Sequence, residues 1–194
     1  MGKIAVFLFD NMTDYEITFL THLLKVDAGK EIITLSYEDK IVRSASGVMY
    51  RADKRVKDVS DGEIGGLILC GGWFGEVRSE LIELIQNLNA KNKLLAGICG
   101  AGTFFLAASG VLNNVRYTTP ITQWTEKHRE VFGTVDPFPR ENYVQSRVVT
   151  NKNVITAQGI AFLDFAVAVC DWLGLFSSED EKNSFQKLYC PEVS

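Results

Sequence analysis

Short apolar runs alternate with helical periodicity along this chain, and that alternation sets the fold class. Ile4–Phe9 is a continuous apolar run, the pattern of a strand buried on both faces. Tyr15–Val26 follows with apolar positions at Ile17, Leu20 and Leu24, a helical face closed by Asp27-Ala28-Gly29. Glu31–Ser36 reads as the next strand, and Ile41–Val59 is a polar, turn-rich stretch that predicts short strands or a hairpin. Leu67–Cys70 is a buried strand stopped by Gly71-Gly72, and Ser79–Leu88 is a helix with a broad apolar stripe. Leu94–Ile98 is a further strand, followed by a helix over Ala101–Ser109 with Gly110 as its C-terminal cap. Past Val115–Thr119 comes an irregular region holding Pro120, Pro137 and Pro139. Tyr143–Thr150 and Val154–Ala157 predict a hairpin around Asn151-Lys152-Asn153, and Ile160–Leu173 and Ser177–Leu188 predict closing helices. Strands alternating with helices make a doubly wound α/β sheet. With no repeat, low-complexity tract or linker, residues 1–194 read as one domain.

Composition narrows the function classes. The 194 residues are 46% apolar, with only 16 Gly and 4 Pro, so a packed core is expected and disorder is not. Twenty basic against 24 acidic side chains leave a net charge of −4, which argues against nucleic-acid or anionic-membrane partners. Leu94–Val115 carries no charge and is long enough to span a bilayer. Its glycines at 97, 100, 102 and 110 and the Asn113-Asn114 pair fit a buried strand, a turn and a short helix better. The start, Met1–Val6, lacks a secretory apolar region and cleavage site, so the cytoplasm is the expected compartment. Four scattered cysteines are too few for a disulfide scaffold and form no metal signature, so neither cofactor nor metal is expected.

The chemistry concentrates at Cys99. It falls between a strand and a helix, with Gly97 two residues before it and Ala101 two after. A nucleophile elbow needs small residues at such flanks, because the sharp turn leaves no room for side chains. A helix N-terminus also favours a thiolate through its free N–H groups and dipole. Gly97, Gly100 and Gly102 could instead form a dinucleotide loop, but their spacing is G-x-x-G-x-G and no acid lies between Glu83 and Glu126. Glu16 has two readings. In Thr13-Asp14-Tyr15-Glu16 it completes a capping box; alternatively its carboxyl serves the thiol. Cys70 ends a strand expected beside that of Cys99 and is either packing or a resolving thiol. Cys170 lies in a core helix, and Cys190 in the tail. Trp73, Phe74, Trp124 and Gln158 are candidate pocket walls.

Taken together, Ile4–Phe9, Asp14-Tyr15-Glu16, Gly71-Gly72, Ala96-Gly97-Ile98-Cys99-Gly100-Ala101, Leu106–Leu112 and Ile155-Thr156-Ala157-Gln158-Gly159 occur in an order that resembles the DJ-1/PfpI superfamily, related to class I glutamine amidotransferases. The resemblance implies a flavodoxin-like α/β/α sandwich with a mainly parallel sheet, forming a homodimer. It also implies that Cys99 is the reactive thiol and Glu16 its hydrogen-bond partner. Backbone N–H groups at Gly71, Gly72 and Gly100 would form an oxyanion-type hole. Activity varies in the superfamily: proteases, chaperones, glyoxalase- or deglycase-like enzymes, redox sensors and binders all occur.

The sequence departs from the hydrolases of this group, which place a histidine directly after the cysteine. Here that residue is Gly100. His22 lies about 600° around a helix from Glu16, and His128 and Glu130 diverge by about 200°; both histidines read as surface residues. A low thiol pKa does not replace the missing base. Lowering it by about three units from 8.5 raises the thiolate fraction about 30-fold but removes about 15- to 30-fold of intrinsic nucleophilicity. Amide cleavage also needs a proton for the leaving amine, and losing a positioned acid or base costs about 10²–10⁴-fold. The expectation is therefore thiol chemistry on small electrophiles, aldehydes or oxidants. A cysteine amidase or a non-catalytic binder are the alternatives.

Overall fold

The computed structural model describes residues 2–38 and 41–189. The strands are β1 (Lys3–Phe7), β2 (Ile32–Ser36), β3 (Ile41–Arg43), β4 (Met49–Arg51), β5 (Lys54–Arg55), β6 (Ile64–Leu69), β7 (Leu94–Ile98), β8 (Val148–Asn151) and β9 (Val154–Ala157). The helices are α1 (Tyr15–His22), α2 (Ser79–Ala90), α3 (Cys99–Ala108), α4 (Glu126–Phe132), α5 (Phe162–Trp172) and α6 (Glu179–Tyr189). One seven-stranded sheet runs β5-β2-β1-β6-β7-β9-β8, parallel except for the β8–β9 hairpin, and β3–β4 form a separate antiparallel ribbon. This is the expected mixed α/β architecture with a mostly parallel sheet.

The central strands β1, β6 and β7 are buried nearly throughout, which is why their sequences read as apolar runs rather than alternating ones. The strand order reverses between β1 and β6, since β1 pairs with β2 on one side and with β6 on the other. Crevices at the carboxyl ends of strands beside such a reversal are the usual ligand sites of open α/β sheets. Glu16, Gly71 and Cys99 all follow strand ends of this group.

Several boundaries moved. The first helix changes to a π-turn at Leu23–Asp27, which carries it to the expected end. The Ile160 helix opens as a 3-10 turn, Gly159–Ala161, before α5. The charge-free stretch is divided among β7, α3 and a 3-10 turn at Val111–Asn114, with Gly110 left-handed at a φ of 77°. Among the described residues no helix is long and apolar enough to cross a membrane. Cys170 is fully buried on α5, as expected, and Cys190 lies outside the described residues.

Candidate active site at Cys99

The turn after β7 is strained. Ile98 is extended, with φ −120° and ψ 147°, and Cys99 then adopts a φ of 60°. For a residue with a Cβ this left-handed conformation costs on the order of 1–3 kcal/mol. It persists because its surroundings leave no alternative. Thr103, one turn on in α3, donates its hydroxyl to the Cys99 carbonyl at 2.5 Å. A Cβ at Gly97 would lie 2.5 Å from the Gly102 carbonyl oxygen, and one at Gly102 would collide with the Leu69 carbonyl. The tight flank on the helix side is therefore Gly102 rather than Ala101.

Glu16 settles between its two readings geometrically. The N-cap of α1 is Asp14, without a side-chain cap bond, and the Glu16 carboxyl does not return to the helix end. It accepts the Gly71 backbone N–H at Oε2, 2.9 Å away. Asp14 is occupied elsewhere: its Oδ2 accepts from Ser44, Ser46 and Tyr50 at 2.6–2.9 Å, tying the β3–β4 ribbon to the start of α1.

Glu16 is only 1% exposed, and among the described residues its Oε1 meets no hydrogen-bond donor in good geometry; the Cys99 thiol is its neighbour. Two glycines make room for this pair. A Cβ at Gly159 would lie 2.8 Å from Glu16 Oε1 and 2.9 Å from Cys99 Sγ, and a Cβ at Gly71 would collide with both side chains.

Burial pushes the Glu16 carboxyl up from 4.5 to about 7, against the opposing hydrogen bonds of Cys99 and Gly71. Burial and the adjacent Glu16 carboxylate push the Cys99 thiol up to about 12, while the Gly100 and Gly72 N–H groups pull it down. Two groups that both rise hold one proton between them from about pH 7 to about 12, and these values belong to the pair. The helix N-terminus alone predicts a lowered thiol pKa; desolvation and Glu16 outweigh it.

The expected backbone donors divide. The Gly71 N–H is occupied by Glu16, so Gly72 and Gly100 are the two that face the sulfur. Cys70 is fully buried, its thiol donates to the Thr13 carbonyl at 3.2 Å, and Cys70, Cys99 and Cys170 are all free thiols. Among the described residues no cluster of three or more His, Cys, Asp or Glu could hold a metal.

Cys99 opens into a cleft of about 520 Å³ lined by Asn11, Thr13, Ala45, Gly72, Trp73, Gly100, Pro120, Ile121 and His128. Trp73 lines this cleft. Trp124 instead stands behind His128, stacked on it at 5.8 Å, and Phe74 stacks on Phe9 in a different pocket. Gln158 is not a wall either. Its amide donates to Thr118 Oγ1 and the Thr119 carbonyl, both at 2.9 Å, which holds the chain after β9 against the 118–119 segment. His128, expected at the surface, reaches the cleft because α4 docks on the loop after Gly72. Gly75 is the contact point, where a Cβ would overlap the Val131 carbonyl.

With the strained cysteine turn, the buried carboxyl of the first helix and the glycine cradle in place, the model of the DJ-1/PfpI family matches residues 2–171. The chain belongs to the DJ-1/PfpI family. Two relatives from Bacillus subtilis, the uncharacterized proteases YoaZ and YdeA, are 27% and 26% identical. The alignments cover 96% and 97% of this chain and 90% and 92% of theirs. Among solved structures, the DJ-1 superfamily protein Atu0886 of Agrobacterium tumefaciens superposes with a TM-score of 0.80 at 26% identity, covering 97% of both chains. Oxidized DJ-1 of Toxoplasma gondii, at 20% identity, shares the fold with a TM-score of 0.76 over 97% of both chains.

Proposed function

We propose that Cys99 and Glu16 act together as a one-proton nucleophile that adds to small carbonyl electrophiles. The observation that carries this reading is the buried Glu16–Cys99 pair at the floor of an accessible cleft. In the addition step the sulfur forms a bond to the carbonyl carbon. The carbonyl π pair moves to oxygen, and the proton held between Glu16 and Cys99 passes to that oxygen. The product is a neutral hemithioacetal, and no oxidant or metal enters the step. The Gly72 and Gly100 N–H groups face the sulfur and favour its thiolate form before the addition.

The same pair supports oxidation as a second reading, favoured by the Toxoplasma relative solved in oxidized form. A thiolate attacks one peroxide oxygen, the S–O bond forms, the O–O bond breaks, and water leaves. A second peroxide would carry the sulfenic acid to a sulfinic acid. A protease activity, which the names of the two B. subtilis relatives carry, finds less support in this chain, because Gly100 stands where a hydrolytic histidine would follow the nucleophile. A homodimer belongs to the same proposal, supported by the half-exposed apolar side chains of Tyr15, Val48 and Met49.

Free-thiol titration of wild type and Cys99→Ala with excess butanal tests the addition chemistry. With butanal the wild-type titre should fall reversibly by one thiol, to that of Cys99→Ala, while the variant's titre stays unchanged; a wild-type titre that butanal does not lower would refute it. Mild peroxide followed by peptide mass analysis tests the second reading, with two oxygens expected on Cys99 and none on Cys170.

A further inference from the structure

His128 has a fixed orientation that the nucleophile does not use. It sits in the first turn of α4, with Nδ1 2.7 Å from Thr125 Oγ1 and 3.2 Å from the Thr125 backbone N–H. A backbone N–H only donates, so Nδ1 accepts and the neutral ring carries its proton on Nε2. Trp124 stacks on one face at 5.8 Å and 18°, and Trp73 packs against the ring at 5.3 Å and 50°. No hydrogen-bond partner for Nε2 is found among the described residues. Burial, aided by Arg140, lowers the His128 pKa below 6.5, so the ring is neutral near pH 7.

The rest of the lining defines the charge a ligand can carry. Among the described residues no lysine or arginine lines the cleft, and apart from Cys99, His128 and the Trp73 indole its polar side chains are Asn11 and Thr13. The Cys99–Glu16 pair becomes negative above about pH 7. An anionic ligand would meet that charge with no lining cation among the described residues to offset it.

We propose that His128 is a specificity-determining residue. Its Nε2–H donates to a second acceptor oxygen on a neutral aldehyde whose carbonyl carbon is engaged by Cys99. The proposal rests on the addition chemistry assigned to Cys99 and names the substrate class for it: uncharged aldehydes bearing a distal carbonyl or ether oxygen. The covalent step is unchanged, since His128 donates a hydrogen bond and transfers no proton.

The test uses the full-length protein and reads how well three aldehydes protect Cys99 from iodoacetamide. They are methyl 4-oxobutanoate, hexanal and 4-oxobutanoate, which are respectively neutral with a distal acceptor, neutral without one, and anionic. In wild type at pH 7.5 the ester should protect at about 5-fold lower concentration than hexanal, the range one net hydrogen bond supplies. The anion should protect least. His128→Phe keeps an aromatic ring against Trp124 and removes the donor, so the ester-to-hexanal ratio should fall to about 1. His128→Gln restores an N–H and should recover part of the preference. If His128→Phe fails to fold, the imidazole nitrogen shifts of wild type give a second readout, moving with the ester and not with hexanal. An unchanged ratio in His128→Phe, or no ester preference in wild type, overturns the assignment of His128 while leaving the Cys99 chemistry standing. Absence of protection by all three aldehydes overturns both.

Discussion

Replacing Glu16 by glutamine separates the carboxyl's charge from its shape. The amide is nearly isosteric, keeps an acceptor for the Gly71 N–H, and never ionises. In wild type the folded-state pKa of Glu16 is raised from 4.5 to about 7 by burial. The sign follows from linkage: the neutral carboxyl's stabilising contribution is fully present below 4.5 and is lost as pH rises through about 7. At about 1.4 kcal/mol per pH unit, ionising Glu16 in place costs on the order of 3 kcal/mol. Urea unfolding of both proteins between pH 4 and pH 8.5 measures this, and the difference between them cancels every group they share. With an m-value of about 2 kcal/mol/M, Glu16→Gln should gain about 1.5 M in midpoint at pH 8 relative to its standing at pH 4. A difference that stays flat across that range would show that Glu16 is not buried as a neutral acid, and the shared-proton account would fall with it.

Two further substitutions probe the support of the site. Gly159→Ala places a methyl 2.8 Å from Glu16 Oε1 and 2.9 Å from Cys99 Sγ. It should slow Cys99 alkylation at least 10-fold while costing about 1–3 kcal/mol in urea unfolding; an unchanged alkylation rate would contradict the tight cradle. Asp14→Ala leaves the Ser44, Ser46 and Tyr50 hydroxyls without their common acceptor. About 1–3 kcal/mol of lost stability is expected, with faster amide exchange in the β3–β4 ribbon. Burial raises the Asp14 pKa, but the three hydroxyls outweigh it and the net shift is downward. The loss in Asp14→Ala should therefore shrink as pH falls from 3.8, where the unfolded carboxylate takes up a proton, through the lower native value, where the folded one does too.

The parts of the fold buried on both sheet faces were legible because burial leaves an unmistakable apolar run, as in Ile4–Phe9 and Leu94–Ile98. The elbow was legible for a related reason: a strained cysteine needs small neighbours, and Gly97 is one. What sequence spacing could not give was the partner across space. Ala101 matches the flank pattern, yet Gly102 is the residue pressed on the Leu69 carbonyl. Thr13 and Glu16 have capping-box spacing, but a buried backbone N–H at Gly71 offers the carboxyl a stronger claim than an exposed helix end. Gln158 sits beside Gly159, yet its amide is drawn to Thr118 and Thr119, where it meets acceptors already in place. Helix-face spacing alone puts His128 at the surface. Which cleft a helix face meets is decided by where the helix docks, here at Gly75, and only an unusual close glycine contact signals that.

The central claim is that Cys99 and Glu16 share one proton, and the pH dependence of Cys99 alkylation by iodoacetamide tests it most directly. Any arrangement of the singly protonated pair has access to a thiolate, so the wild-type rate should rise through an inflection near pH 7 and rise again toward pH 12. Cys170, buried and itself pushed up to about 12, should stay inert over the lower step. In Glu16→Gln the lower inflection should vanish, leaving a single titration. A wild-type profile with one step at the ordinary thiol value of about 8.5, unaltered by Glu16→Gln, would contradict the account.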